Sequence, residues 1–407
     1  MKKTLLLLAE VFYLSVFSLY AFDFGIIFSQ DVQMDVPAFD FEQVSFDIKG
    51  VLMPRFTTPL GDKGNLYVSA ALSYEVDPSD ETDPFAIIPE LTRADVNFNF
   101  GIINLNVGRM FYNDPLGITA NGLFDGAQVS VITRDGNIRA GFWYTGLLYK
   151  DRAKITMTPD EMESSGEKVD YEDFINTYFA PSRILAAVEY DHPSLIGLLD
   201  LRASMLFQFD ASGDNLHSQY FMAALSVPIK SFIFDAGGCL ELIEYDDEVK
   251  PAFAANLGVT YILPTKLEKH IKLSWRFSSG VSEDETVGAF LPLTTVPQGD
   301  ILEAKFTGLS LLSLGFTGRI TKSLSVDAAF TEFIRSDLGT YRYYPVTDGN
   351  SEGFFLGAEI FGRVVWNITS GIRLNFGTGV FIPALGDAAP EADALWRVKL
   401  NLVFSIY

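Results

Sequence analysis

The chain has 407 residues, 48% of them hydrophobic and 14% aromatic, led by 35 Phe and 17 Tyr. Its 52 acids against 30 bases give a formal charge of −22, which excludes the broad basic face that nucleic acid requires. A single cysteine, Cys239, excludes an intramolecular disulfide or a cysteine-built metal centre, and three histidines (His192, His217, His270) leave little imidazole for acid–base chemistry; no metal or cofactor is expected.

In chain order, Lys2 and Lys3 precede the apolar stretches 5–9 and 11–21, the basic and hydrophobic regions of a cleavable export signal over residues 1–21. No cysteine near the cut offers a lipid-attachment site. From residue 22 to 407 no apolar run reaches the length of a membrane helix. Instead, segments of about ten residues alternate apolar and polar, the period of tilted membrane strands. Ala94, Val96, Phe98 and Phe100 share one face, while Arg93, Asp95, Asn97 and Asn99 share the other. Ile184, Ala186, Val188 and Tyr190 likewise oppose Arg183, Glu189 and Asp191, and Ile271, Leu273, Trp275 and Phe277 oppose His270, Lys272, Ser274 and Arg276.

Eighteen such segments can be counted, with sixteen as the alternative. The links between them alternate in length from end to end. Short ones fall at 58–64, 101–103, 134–137, 192–197, 228–231, 264–269, 321–323 and 367–371. The intervening ones include 77–89, 112–122, 150–181, 282–300, 335–353 and 383–393. Membrane barrels keep short periplasmic turns and longer outer loops in this phase, and a soluble sheet has no reason to do so. The expected fold is therefore all-β: one transmembrane antiparallel barrel over residues 22–407, both ends periplasmic, apolar faces toward outer-membrane lipid. Trp366 and Tyr190 are expected near inner strand ends, and Trp396 and Tyr74 near outer ones, where interfacial aromatic girdles form.

The sequence at this point resembles bacterial outer-membrane porin-like barrels. Val107-Gly108-Arg109, Asp114-Pro115 and Gly122-Leu123-Phe124-Asp125-Gly126 are similar to a Gly-Arg … Phe-Asp-Gly pattern of such families. The last strand, 395–407, ends in an aromatic residue as their assembly signals do, although Tyr407 lies off the face shared by Leu400, Leu402, Phe404 and Ile406. The resemblance implies the barrel-assembly machinery as a partner, and leaves trimer and monomer equally open.

With the apolar face on lipid, the polar face lines a lumen. Its expected residues include Arg93, Asp95, Arg139, Arg202, Arg276, Arg319, Glu359, Arg363, Arg373, Arg397 and Lys399, with bases densest toward the C-terminal strands. Charged pore walls orient small polar or ionic solutes, whereas charges that pair across strands mainly hold the wall. Arg109 and Asp125 stand apart: parity puts both on the lipid face, where a charge costs roughly 2–4 kcal/mol at mid-membrane. Glycines at 108 and 126 would let bulges swing the two together, so that the pair and the link 112–122 form part of a constriction; an interfacial salt bridge at the outer rim is the other reading. The acidic segment 150–181 either enters the pore or stands outside it. The expected function is passive diffusion through a charged pore. A fatty-acid-channel-like transporter and a structural or adhesin barrel are the alternatives, while no histidine has a partner spacing that supports catalysis.

Overall fold

The computed structural model describes residues 22–76, 78, 84–213, 215–281, 288–339 and 352–406. The leader read over residues 1–21 and the final Tyr407 lie outside them. Eighteen strands follow one another: β1 (Asp23–Pro37), β2 (Ser45–Leu60), β3 (Gly64–Val76), β4 (Phe85–Asn99), β5 (Ile103–Asn113), β6 (Asn121–Ile132), β7 (Asn137–Tyr144), β8 (Arg183–Leu195) and β9 (Leu199–Asp210) make the first half. The second half is β10 (His217–Ile229), β11 (Phe232–Tyr245), β12 (Glu248–Ile262), β13 (Lys269–Ser278), β14 (Leu309–Arg319), β15 (Leu324–Arg335), β16 (Phe355–Thr369), β17 (Ile372–Ile382) and β18 (Leu395–Ile406). Each pairs antiparallel with its chain neighbours, and β1 closes on β18 from Ile26↔Ile406 to Pro37↔Leu395. Closure removes the free sheet edges that hydrocarbon does not tolerate. Each of the eighteen predicted segments falls within one of these strands, so the count of sixteen is excluded.

The outer surface follows from residue alternation. Phe98 stacks on Phe100, and Val107, Phe111, Phe142, Val188, Met205, Phe253, Leu273, Leu314 and Ile360 all project outward, 43–59% exposed. Such a belt is a lipid-facing surface. Tyr74 stacks on Phe85, and Phe39 and Phe41 pack on Trp396, at the outer strand ends; Phe232 with Tyr261, and Trp366, mark the inner ends. No helix among the described residues is long and apolar enough to cross a membrane.

The interior departs from simple alternation. In the outer half of the barrel many of the inward positions are themselves apolar: Met110, Phe124, Trp143, Leu185, Leu206, Tyr220, Met222 and Ile243 are all at most 4% exposed. They form one cluster with residues of several connections, among them Ile118, Leu148, Ile155, Met157, Phe290, Leu293, Ile301 and Phe306. Connections that fold inward bring apolar side chains, and those need apolar partners on the wall.

Candidate functional site

Three connections occupy the outer lumen. The link between β5 and β6 is shaped by Asp114, whose carboxylate accepts from the backbone N–H groups of Leu116, Gly117, Thr119 and Ala120 at 2.8–2.9 Å. Burial pushes the Asp114 carboxyl above its ordinary range, and these four donors pull it back. The link reaches across to β11, where a Cβ on Gly237 would stand 2.3 Å from the Leu116 side chain. A side chain there would push the ends of Leu116 and Asn256 aside.

The connection between β7 and β8 carries three short helices, α1 (Lys150–Ala153), α2 (Pro159–Gly166) and α3 (Phe174–Tyr178). Thr158 and Glu161 form a capping box at the start of α2. Glu161 also pairs with the fully buried Arg183 of β8, drawing α2 onto the inner wall. The acidic segment 150–181 thus turns into the barrel mouth, with Ile155 and Met157 buried.

The connection between β13 and β14 bridges the others. Thr294 donates its N–H to Thr119 and its hydroxyl accepts from Asn121; Thr295 donates to Lys154. The backbone N–H groups of Asp300, Ile301 and Leu302 donate to Glu359 of β16 at 2.8–3.1 Å. Lys305 donates to the Thr156 carbonyl, and burial pushes its ammonium down to about 8, with Glu161 acting in the opposite direction.

The expected lumen residues fall into distinct roles. Arg93 pairs with the buried Asp95 and lies over the Tyr67 ring. Arg139 bridges Glu189 (3.0 Å) and Asp191 (2.7 Å). Arg276 donates to Gln298, and Arg319 sits half-exposed near Glu268 at the inner rim. Arg202 borders a cavity at the inner mouth with Arg134, Asp135, Asp191 and Asp200. Arg397 forks onto Asp35 at 2.6 and 2.9 Å and reaches Glu303 at 3.1 Å, while Lys399 meets Glu303 at 2.7 Å. Glu359 acts as an anchor for a connection through the bonds described above.

Arg363, Arg373 and Lys399 line a cavity of about 800 Å³ against β1, β2 and β16–β18. Asp31, Asp47 and Lys49 complete its wall, and Lys154, Asp300 and Glu303 reach it from the connections. Arg363 lies 3.4 Å from Asp327, and Lys49 lies 2.6 Å from Glu75. Arg373 and the Lys154 ammonium have no ion-pair partner among the described residues. Lys154 escapes a reading of the sequence because it lies within an acidic segment, and only the inward turn of that segment gives it a place on the cavity.

Arg109 and Asp125 are register partners on β5 and β6 and form a two-pronged pair, both contacts 2.8 Å. The guanidinium also donates to the carbonyls of Leu91 and Leu147. Arg109 keeps the parity of the outward Val107 and Phe111 yet is only 7% exposed, because Asp125 and the β7–β8 connection cover it. Gly108 holds φ 121°, and a Cβ there would lie 2.1 Å from the Ala94 carbonyl, but the strand register runs through Gly108 and Gly126 without the expected bulge.

No family model matches this sequence, and no curated protein is similar to it. Solved structures are similar in fold. OpdQ of Pseudomonas aeruginosa superposes with a TM-score of 0.62 at 12% identity, over 95% of this chain and 98% of that one. The outer membrane protein OprD of the same organism gives 0.57 at 11% identity, over 95% and 94%. Acinetobacter baumannii OccAB4 gives 0.57 at 11% identity, over 94% and 98%. The closed eighteen-strand wall and its apolar outer belt make the chain a membrane-spanning β-barrel, and these superpositions show that its fold is that of bacterial outer-membrane, porin-like barrels.

Proposed function

We propose that the barrel is a passive channel for small polar or ionic solutes rather than an enzyme, and that anions are preferred. The observation that carries this reading is the cavity along β16–β18, β1 and β2, whose wall holds five bases (Lys49, Lys154, Arg363, Arg373, Lys399) against four acids (Asp31, Asp47, Asp300, Glu303), with Lys154 and Arg373 in no ion pair among the described residues. Its other bases mostly face carboxylates, and such half-exposed pairs contribute little to stability, on the order of 0–1 kcal/mol each. Their service is a polar wall along which a solute exchanges hydration for side-chain contacts. The Arg109–Asp125 pair supports the path indirectly, fixing the base of the hairpin whose link narrows the outer lumen.

Planar-bilayer recording of the refolded chain tests this. Stepwise currents are expected, with a reversal potential in a salt gradient whose sign reports anion preference. Arg373→Gln and Lys154→Gln should each move that potential toward zero, and together should move it further. A folded barrel without current, or a potential indifferent to both substitutions, would overturn the reading.

A further inference from the structure

The barrel wall is not hydrogen-bonded throughout. β4 and β5 pair only from Ala94↔Arg109 to Asn99↔Asn104. Beyond that point residues 85–91 of β4 keep β3 as their neighbour, and residues 110–113 of β5 keep β6. Seven residues of β4 at about 3.3 Å each leave roughly 23 Å of strand edge without a strand partner on that side. The gap lies within the apolar belt, since Phe85, Ile87, Leu91 and Phe111 project outward, 44–59% exposed.

An open strand edge in hydrocarbon leaves polar groups unsatisfied, at several kcal/mol each. Here alternate carbonyls along the edge are capped by side chains. Ile87 accepts from the Tyr171 hydroxyl, Pro89 from the Tyr178 hydroxyl at 2.6 Å, and Leu91 from Arg109. Pro89 has no N–H to leave unpaired, which is why proline belongs at such an edge. Arg152 pairs with Glu90 at 3.2 Å, and Ile88, Tyr149 and Tyr178 pack together against Ala86, Val169, Phe174 and Phe179. Apart from Arg109, every one of these covering groups comes from the β7–β8 connection. That connection therefore fills the place of missing strand pairing, and it does so with aromatic rings and a few polar bonds, not with a ladder.

We propose that the β4–β5 seam is a lateral portal between the barrel interior and the membrane, with the β7–β8 connection as its stopper. The molecule it fits is a small apolar compound with one polar end. The seam and its inner lining are apolar and aromatic, while the exchangeable polar groups are the strand-edge carbonyls, Arg109 and Arg152. Withdrawal of the stopper from the seam breaks the two tyrosine bonds, the Arg152–Glu90 pair and the Arg109–Leu147 bond, while the Glu161–Arg183 pair and the bonds from Lys305 and Thr295 keep the rest of the connection inside the barrel and the wall ladder stays intact. This route goes beyond the aqueous path, which runs along other strands; Lys154 of the same connection borders that cavity while Tyr171 and Tyr178 border the seam.

The test uses Gram-negative cells producing the full chain and the lipophilic dye N-phenyl-1-naphthylamine, which an intact lipopolysaccharide leaflet excludes. Cells with the protein should take up the dye faster than cells without it. In Glu90→Cys/Arg152→Cys, joining the two thiols with a short bis-methanethiosulfonate reagent should return uptake to the background rate, and reduction should restore it. Bilayer conductance to small ions should be the same before and after joining, which separates failure of the portal from failure of the aqueous channel. Tyr171→Phe/Tyr178→Phe keeps the rings and removes the caps, and should raise uptake several-fold in a barrel that still folds. Uptake no faster than in cells lacking the protein, or uptake unchanged by both the bridge and the phenylalanine pair, would overturn the proposal.

Discussion

Arg109 shows how one residue can hold a wall that strand pairing has left. Its guanidinium meets Asp125, the Leu91 edge and the Leu147 carbonyl at once. Asp125→Asn leaves a covered guanidinium with carbonyls alone, and breaking a buried pair in this way typically costs about 3–5 kcal/mol. A loss in that range is expected in the urea midpoint, followed by the gel shift between folded and unfolded forms. Arg109→Met/Asp125→Leu should recover only part of it, because two apolar side chains suit the parity of Val107 and Phe111 but leave the Leu91 and Leu147 carbonyls uncapped. A double variant as unstable as the single one would mean that the carbonyl contacts matter more than the charge. Lys305 gives a pH signature. Its folded value of about 8 lies below the ordinary value of about 10.4, so between them the unfolded chain binds more protons and this residue makes stability rise with pH. Comparing urea midpoints across that window, Lys305→Met should lack the rise that the unaltered chain shows.

At the level of elements, the strands were legible because a period of two is written into residues such as Arg93 to Phe100, and short turns of two to six residues punctuate it. The connections were not. The Asp114 carboxylate gathers four N–H groups of its own link, a local turn that a period of two does not encode, and nothing in that period says that Leu116 then lands on Gly237, because that contact joins distant parts of the chain. The contact is testable. Gly237→Ala places a methyl against Leu116 and Asn256, and overpacking of this kind costs about 1–3 kcal/mol. Adding Leu116→Ala should return the part due to Leu116, and a double variant that is simply the sum of two losses would show that the link does not rest on β11.

Over the whole molecule, the charge of −22 predicts the wrong local field if it is spread evenly. Many of the acids lie in the connections, while the aqueous cavity presents Lys49, Lys154, Arg363, Arg373 and Lys399 beside Asp31, Asp47, Asp300 and Glu303. The sign of the reversal potential therefore tests local placement against net charge: a cation-selective current would mean that the acidic connections dominate the field at the mouth. The amino-acid sequence by itself determined the membrane barrel, its eighteen strands, the phase of its turns and its lipid-facing belt. Those features depend on alternation and on hydrogen bonding that every strand in hydrocarbon must satisfy. The tertiary structure alone decided how the lumen is occupied, which cavity cations lack an ion-pair partner among the described residues, and where β4 and β5 cease to pair. These depend on three connections meeting one another across the barrel, and contacts between segments far apart in the chain leave no period in its sequence.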